Sequence, residues 1–195
     1  MHTKWGMALI FSALFLSSSL FAQQKQTDKS QKSMLSSADQ SFITTAAEAN
    51  LAEIETAKVV ENKSTDSAVK DFANRMVTDH TQASQTLATL AEMTGTKLPA
   101  EASASERRHK DELQKLSGAI LNETYLNDEL QGHKQVISKF EQEIEHGRDE
   151  SVKNYAEQTL PTLQDHIRIA EDLAGKMGMS GKLGLGEESK AIAMK

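Results

Sequence analysis

The segment Ser67–Ala73 (SAVKDFA), which continues to Asp79-His80, has a near copy later in the chain. The second copy begins at Ser151 (SVKNYA) and continues to Asp165-His166, with three extra residues near Pro161. In both copies a leucine follows the histidine seven residues later, a spacing typical of one face of an α-helix. The repeat therefore predicts two related helical hairpins that face each other, with their histidines meeting in the middle.

Helical periodicity accounts for most of residues 37–177, which we predict to be one four-helix domain. The expected long helices run from about Asp39 (as N-cap) to Asn62, from Asp66 to Gly95, from Ala119 to His146, and from Asp149 to Lys176, with a kink at Pro161. The connector between the second and third of these, residues 96–118, contains a short amphipathic segment around Leu113 and Leu116.

The lengths of the connections predict the topology. The first and second long helices are joined by a short turn, as are the third and fourth, whereas residues 96–118 can run back along a helix of about 40 Å. Two short-loop hairpins with one long crossover form the ferritin-like arrangement of the four-helix bundle, an all-α fold. A simple up-and-down bundle is the alternative.

The two ends of the chain differ in composition from the predicted domain. Residues 1–22 combine Lys4, an apolar segment and Phe21-Ala22 before Gln23, which is typical of a secretory signal peptide. A retained N-terminal anchor is the alternative. Residues 23–36 are polar and predict a flexible linker, and the glycine-rich residues 178–195 predict a flexible tail. We therefore expect a periplasmic or secreted protein.

The composition argues against several classes of partner and site. The formal net charge is −6, which becomes about −7 once Lys4 is removed, and no lysine or arginine stripe is present, so nucleic acid is a poor partner. No second apolar segment of comparable length follows the signal, so we expect no integral membrane domain after cleavage. The chain has no cysteine, which excludes disulfides and thiolate metal sites. The sequence does not identify a protein partner.

Five ionisable residues lie on the apolar faces of the predicted helices, all close to the middle of the bundle: His80, His133, His166, Glu53 and Glu129. A buried charge without a partner costs several kcal/mol, so these groups must pair with one another or hold an ion. Imidazole and carboxylate together suit Fe, Mn, Zn or Cu, and a transition-metal site is our first hypothesis. A dry Glu–His hydrogen-bond network that only fixes the register of the helices is the second.

Other polar residues receive weaker functional interpretations. Asp79 and Asp165 are expected to form interhelical or solvent-facing pairs, and Tyr125 is expected to be a core aromatic residue with a solvated hydroxyl, with a donor role beside Glu129 as the alternative. His146 and His109 each follow a glutamate by three residues: His146 is expected to be solvated, and His109, in the connector among like charges, is not expected to form a ligand pair with Glu106. No Ser/His/Asp order or glycine-rich phosphate loop is present, so the sequence favours a non-enzymatic protein.

These residues resemble those of the bacterial domain-of-unknown-function family 4142, which belongs to the ferritin-like superfamily. The resemblance covers about residues 39–173. It is carried by Asp39-x-x-Phe42 with Ala46, Ala49 and Glu53, by Val69-x-x-Phe72-Ala73-x-x-Met76-Val77-x-Asp79-His80-Thr81, by Tyr125 with His133, and by Leu160-Pro161 with His166. It implies an exported cell-envelope helical bundle of uncharacterised function, for which a redox or stress-protective role is one expectation.

The superfamily's di-iron sites use a Glu-x-x-His pair on each of two helices. Here Val77, Leu130 and Leu163 stand three residues before the three core histidines. The carboxylates that would bridge two irons are largely missing. If metal binds, the sequence favours a single ion held by the histidines with one or two glutamates.

Overall fold

The computed structural model describes residues 35–179, which form five α-helices and no β-strand. The helices are α1 (Ser37–Lys63), α2 (Ser67–Thr94), α3 (Ala104–Leu113), α4 (Gly118–His146) and α5 (Glu150–Lys176). The all-α prediction is confirmed. The predicted signal peptide, the predicted linker up to residue 34 and the predicted tail from residue 180 lie outside the described residues.

The four long helices form two hairpins joined by the α3 crossover. α1 packs along α2 and α4 packs along α5, while the hairpins meet through α2 against α5 and α1 against α4. In a simple up-and-down bundle the second long helix would lie beside the third; here α2 lies beside α5 instead. α3 runs across α1 and α4. This is the ferritin-like arrangement predicted from the long connector.

The helix caps extend the internal repeat. Asp66 caps α2 by accepting hydrogen bonds from the N–H groups of Ala68 and Val69, and Asp149 caps α5 in the same way. The α1 cap differs from the prediction: Ser36 is the N-cap, and Asp39 lies at the third helical position in a capping box. Asp39 also accepts a hydrogen bond from the Arg148 N–H at 3.0 Å, which ties the start of α1 to the α4–α5 turn.

Two other local predictions concern glycine and proline. α2 ends at Gly95, whose φ of 70° is the left-handed conformation that glycine adopts without strain. α5 remains helical on both sides of Pro161. Within residues 35–179, none of the helices combines the length and the apolar character that crossing a bilayer requires.

The core consists of two apolar clusters with a polar layer between them. One cluster contains Val60, Met76, Leu130 and Ala170, and the other contains Leu87, Phe140 and Leu163. α2, α4 and α5 each contribute to both clusters and place a buried histidine between the two contributions: His80, His133 and His166. The predicted mid-bundle depth of these histidines follows from this arrangement.

A test of the packing uses two glycines. At Gly147 a Cβ atom would lie 2.5 Å from the Glu143 carbonyl oxygen, so Gly147→Ala should reduce the free energy of unfolding by about 1–3 kcal/mol. At Gly132, within α4, a Cβ atom would meet only Glu53 Oε1, at 3.8 Å, so Gly132→Ala should stabilise the protein by up to about 1 kcal/mol. Urea denaturation of both variants checks this; equal effects would contradict it.

Candidate functional site

The three buried histidines form one cluster. Their ring centroids are 5.2 Å (His133–His166), 5.3 Å (His80–His166) and 5.7 Å (His80–His133) apart. One nitrogen of each ring lies within 4.8 Å of one nitrogen of the other two. The sequence places these residues on three different helices, and the bundle brings them into contact.

The proton on His166 is positioned by a carboxylate on the neighbouring helix. Its Nε2 lies 2.9 Å from Asp79 Oδ2, an arrangement in which Nε2–H donates to the carboxylate. Asp79 also accepts from Arg75 Nε at 3.2 Å, so the carboxylate is held in place from the surface. In the neutral ring, His166 Nδ1 is then left with a lone pair.

His80 is oriented by an amide. Its Nδ1 lies 2.9 Å from Asn50 Oδ1, and the Asn50 amide nitrogen faces the Tyr155 hydroxyl at 3.4 Å, which directs the amide oxygen toward the ring. Nδ1–H therefore donates, and His80 Nε2 carries the lone pair. Within residues 35–179 this Nε2 is buried and has no hydrogen-bond partner.

His133 lies at the centre of the cluster. Its Nδ1 is 3.0 Å from the Glu129 main-chain oxygen, which can only accept, so Nδ1 carries the hydrogen. Its Nε2 then presents a lone pair to His166 Nδ1 at 3.2 Å. Two lone pairs facing each other at this distance repel, and a proton or a metal ion between or beside them removes the repulsion.

The cluster has the hydrogen-bonding pattern of a metal site. In each ring the outer nitrogen donates to an oxygen, which fixes the tautomer, and the other nitrogen is left for a ligand bond. A tetrahedral ion with Zn–N bonds of about 2.0–2.1 Å places neighbouring nitrogens about 3.4 Å apart. The His133–His166 separation of 3.2 Å is close to this value. The residues present therefore fit an ion with three imidazole ligands.

The two glutamates lie on the other side of His133. Its Nδ1 is 3.3 Å from Glu129 Oε2 and 3.8 Å from Glu53 Oε1, and these three residues form a second group of possible ligands. The five residues singled out in the sequence therefore fall into two groups that share His133. Glu53 and Glu129 are grouped with His133 and not with His80 or His166.

Burial shifts the pKa values of four of these side chains, His80, His166, Glu53 and Glu129, in the direction that favours the neutral form. Burial lowers the pKa of His80 well below its usual value of 6.5, helped by the other two histidines, and lowers that of His166 to about 4 against the opposing effect of Asp79. Burial likewise raises the pKa of Glu53, and it raises that of Glu129 to about 7. Neutral imidazole, the form that binds metal, is thus favoured for His80 and His166.

The sequence did not identify every contributor. Asn50 lies on the same apolar face as Glu53 but was missed, although a polar residue at that position is itself a signal. Asp79 was expected to form an interhelical or solvent-facing pair and does bridge two helices, but its contact with His166 was not foreseen. The prediction of a solvated Tyr125 hydroxyl is wrong. Tyr125 is 1% exposed, because it lies on the buried face of α4.

The weaker candidates lie apart from the cluster. The His146 side chain is 70% exposed, as expected for a solvated residue. His109 on α3 pairs with Asp128 on α4 at 3.2 Å rather than with the preceding glutamate. Asp165 pairs with Arg75 and Arg168. None of these contacts involves the three buried histidines.

Solved structures of two proteins from another family of unknown function share the fold. A DUF305 fragment from Deinococcus radiodurans superposes with a TM-score of 0.65 at 14% identity, covering 73% of this chain and 98% of that one. A DUF305 protein from Streptomyces coelicolor superposes with a TM-score of 0.62 at 16% identity, covering 72% and 94%. At these identities the likeness concerns the fold alone.

The comparison with curated proteins gives no match. The family described as "Domain of unknown function (DUF4142)" matches residues 24–173. This range contains α1 to α4, α5 as far as Leu173, and the histidine cluster. The resemblance noted from the helix motifs is confirmed, and the chain belongs to the DUF4142 family.

Proposed function

We propose that this protein is an exported helical bundle that binds one transition-metal ion through His80, His133 and His166. The observation that carries the proposal is the hydrogen-bonding pattern of the three rings. Each outer nitrogen is held by an oxygen, from Asn50 Oδ1, the Glu129 main chain and Asp79 Oδ2 respectively, which leaves the other nitrogen of each ring as a ligand.

The ligand set narrows the choice of metal. Three neutral imidazoles without a thiolate suit Zn²⁺ and Cu²⁺ first and Fe²⁺ next, whereas Mn²⁺ prefers oxygen ligands. A cavity of about 10 Å³ lies beside His80 and His133, enough for an ion or one water molecule but too small for an organic substrate. The imidazole ligand set therefore leads us to favour metal holding, with a redox or stress-protective role.

Export rests on the N-terminal sequence. Lys4 and the apolar segment that follows it have the composition of a signal peptide, and Gln23 would be the first residue after cleavage. A site made of imidazole and oxygen atoms does not depend on reduced thiols, which suits an oxidising cell envelope. The mass of the protein recovered from a periplasmic extract tests this assignment.

The competing function is a structural or stress-related interaction module without metal. It is favoured by the two glutamate oxygens near His133, at 3.3 and 3.8 Å from Nδ1. A doubly protonated His133 would donate to this side through Nδ1–H and to His166 through Nε2–H. The polar layer would then fix the helix register and bind nothing.

Metal analysis separates the two functions. Protein purified without chelator and reloaded with Zn²⁺ should hold one ion per chain and melt at a higher temperature, because binding stabilises the folded state. His80→Ala should lose the ion and the shift in melting temperature, whereas His146→Ala, at an exposed histidine, should keep both. A wild-type protein that cannot be loaded with Zn²⁺, Cu²⁺ or Fe²⁺ would rule out the metal site.

A second experiment tests the orientation of His80. Asn50→Ala removes the acceptor of the Nδ1–H group and should weaken Zn²⁺ binding by about 10–100-fold, as loss of such outer hydrogen bonds typically does. Competition against a chromogenic chelator measures the change. Thr44→Ala, at an exposed hydroxyl on the same helix that bonds only to the Gln40 main chain, is the matched control and should leave the affinity unchanged.

The pH dependence of stability has two opposing parts. The pKa of His166 is lowered to about 4 on folding, so its contribution is present above 6.5 and is lost as pH falls toward about 4; the pKa of His80 is lowered too, so its contribution is also lost as pH falls. The pKa of Glu129 is raised to about 7, so its contribution is present below 4.5 and is lost as pH rises through about 7; the pKa of Glu53 is raised too, so its contribution is also lost as pH rises. Between about pH 4.5 and 6.5 the two parts partly cancel.

Replacing both glutamates should leave the histidine contribution to the pH dependence of stability without the opposing glutamate contribution. The rise in the pKa of Glu129 from 4.5 to about 7 corresponds to at most about 3 kcal/mol. In the presence of chelator, the Glu53→Gln/Glu129→Gln variant should therefore gain stability relative to wild type as pH rises from 5 to 8, and its own stability should fall more steeply toward pH 5. Denaturant melts at each pH measure this. A difference between the two proteins that does not change with pH would contradict it.

A further inference from the structure

A cavity of about 280 Å³ lies between α1, α3 and α4. Glu53, Glu129 and Tyr125 line it, and these three side chains are buried or largely buried. Glu48, Glu106 and Asp128 also line it, while Lys139 and His109 are the cationic or potentially cationic residues there. The cavity therefore carries an excess of carboxylates over basic groups.

Two polar atoms in this cavity are incompletely hydrogen-bonded. The Tyr125 hydroxyl and Glu129 Oε2 are buried, and among residues 35–179 neither has a partner with good hydrogen-bond geometry, although Glu129 Oε2 lies 3.3 Å from His133 Nδ1 and the Tyr125 hydroxyl interacts with the Glu129 carboxyl group. Tyr125 is 1% exposed and Glu129 is 4% exposed. A buried polar atom whose hydrogen bonding is incomplete is destabilising, so a cation that contacts both oxygens would stabilise this arrangement.

We propose that Glu53, Glu129 and the Tyr125 hydroxyl form a second cation site, separate from the three histidines, that takes a divalent ion preferring oxygen ligands, such as Mn²⁺, Ca²⁺ or Mg²⁺. One oxygen of each glutamate and one nitrogen of His133 lie within 4.8 Å of one another, so the two carboxylates are close enough to share an ion. Water molecules complete the coordination, as is usual for such ions.

The geometry explains why this site differs from the histidine site. His133 Nδ1 carries a hydrogen that faces the Glu129 main-chain oxygen, so this ring offers no lone pair to the cavity. The remaining ligands there are oxygens, which select hard cations over Zn²⁺ or Cu²⁺. Gly132 also lines the cavity, and its missing side chain leaves space above Glu53 Oε1.

Terbium luminescence tests the proposal in the cleaved protein that begins at Gln23. Tb³⁺ binds oxygen ligands and emits when a nearby aromatic side chain absorbs light. The single tryptophan, Trp5, lies in the proposed signal peptide, so the cleaved protein contains two tyrosines, Tyr125 and Tyr155, and no tryptophan. Tb³⁺ should therefore give tyrosine-sensitised emission that saturates and is displaced by Mn²⁺ or Ca²⁺.

The variants assign the emission to the cavity. Tyr125→Phe should abolish the sensitised emission, and Tyr155→Phe should leave it. Glu53→Gln/Glu129→Gln should weaken Tb³⁺ binding at least tenfold, whereas Glu141→Gln, at an exposed glutamate on α4 outside the cavity, should not. Circular dichroism confirms that each variant is folded. Absence of saturable emission, or emission that survives in Tyr125→Phe or in the double glutamine variant, would overturn the proposal.

The histidine variant keeps the two sites distinguishable. His80 does not line this cavity, so His80→Ala should retain Tb³⁺ emission even though it loses Zn²⁺. Conversely, Glu53→Gln/Glu129→Gln should retain Zn²⁺ because it leaves the three imidazoles and the Glu129 main-chain oxygen in place. Loss of Tb³⁺ emission in His80→Ala would show that the carboxylates belong to the histidine site and would overturn the assignment of a separate one.

Discussion

The polar layer at mid-bundle constrains the whole structure. It lies between two apolar clusters, and α1 adds Asn50 to the three buried histidines of the other long helices. Moving any one helix by a single turn, about 5.4 Å along the axis, would separate its polar group from its partner and leave both buried without a hydrogen bond. Apolar packing alone tolerates such shifts more readily, so the layer defines the register of the bundle.

The internal repeat is symmetric in sequence but not in its contacts. Asp79 on α2 accepts from His166, yet its counterpart Asp165 on α5 pairs with Arg75 and Arg168 and not with His80. His80 instead donates a hydrogen bond from Nδ1–H to the Asn50 amide oxygen. One histidine is therefore held by a charged acceptor and the other by a neutral one. Because a carboxylate increases the basicity of the ring more than an amide does, the repeat provides two histidines in unequal environments.

The helices and the buried histidines could be predicted because both depend on local periodicity. The division of the five candidate residues into two groups could not be predicted, because it depends on which nitrogen of the His133 ring each neighbour contacts. That choice is made by the Glu129 main-chain oxygen, one turn earlier on the same helix. The start of α1 was misplaced for a similar reason, since Asp39 serves both the capping box and the Arg148 N–H across the bundle.

The shared position of His133 links the two groups electrostatically. Burial raises the pKa of Glu129 to about 7, so this residue is partly protonated near neutral pH, and burial raises the pKa of Glu53 as well. An ion held by the three histidines adds positive charge on one side of the ring and favours ionisation of the carboxylates on the other side. Ion binding would then release protons from the glutamates, and the negative charge left behind would hold the ion more tightly. In this way the two carboxylates would act on an ion held by the histidines through charge alone, without contacting it.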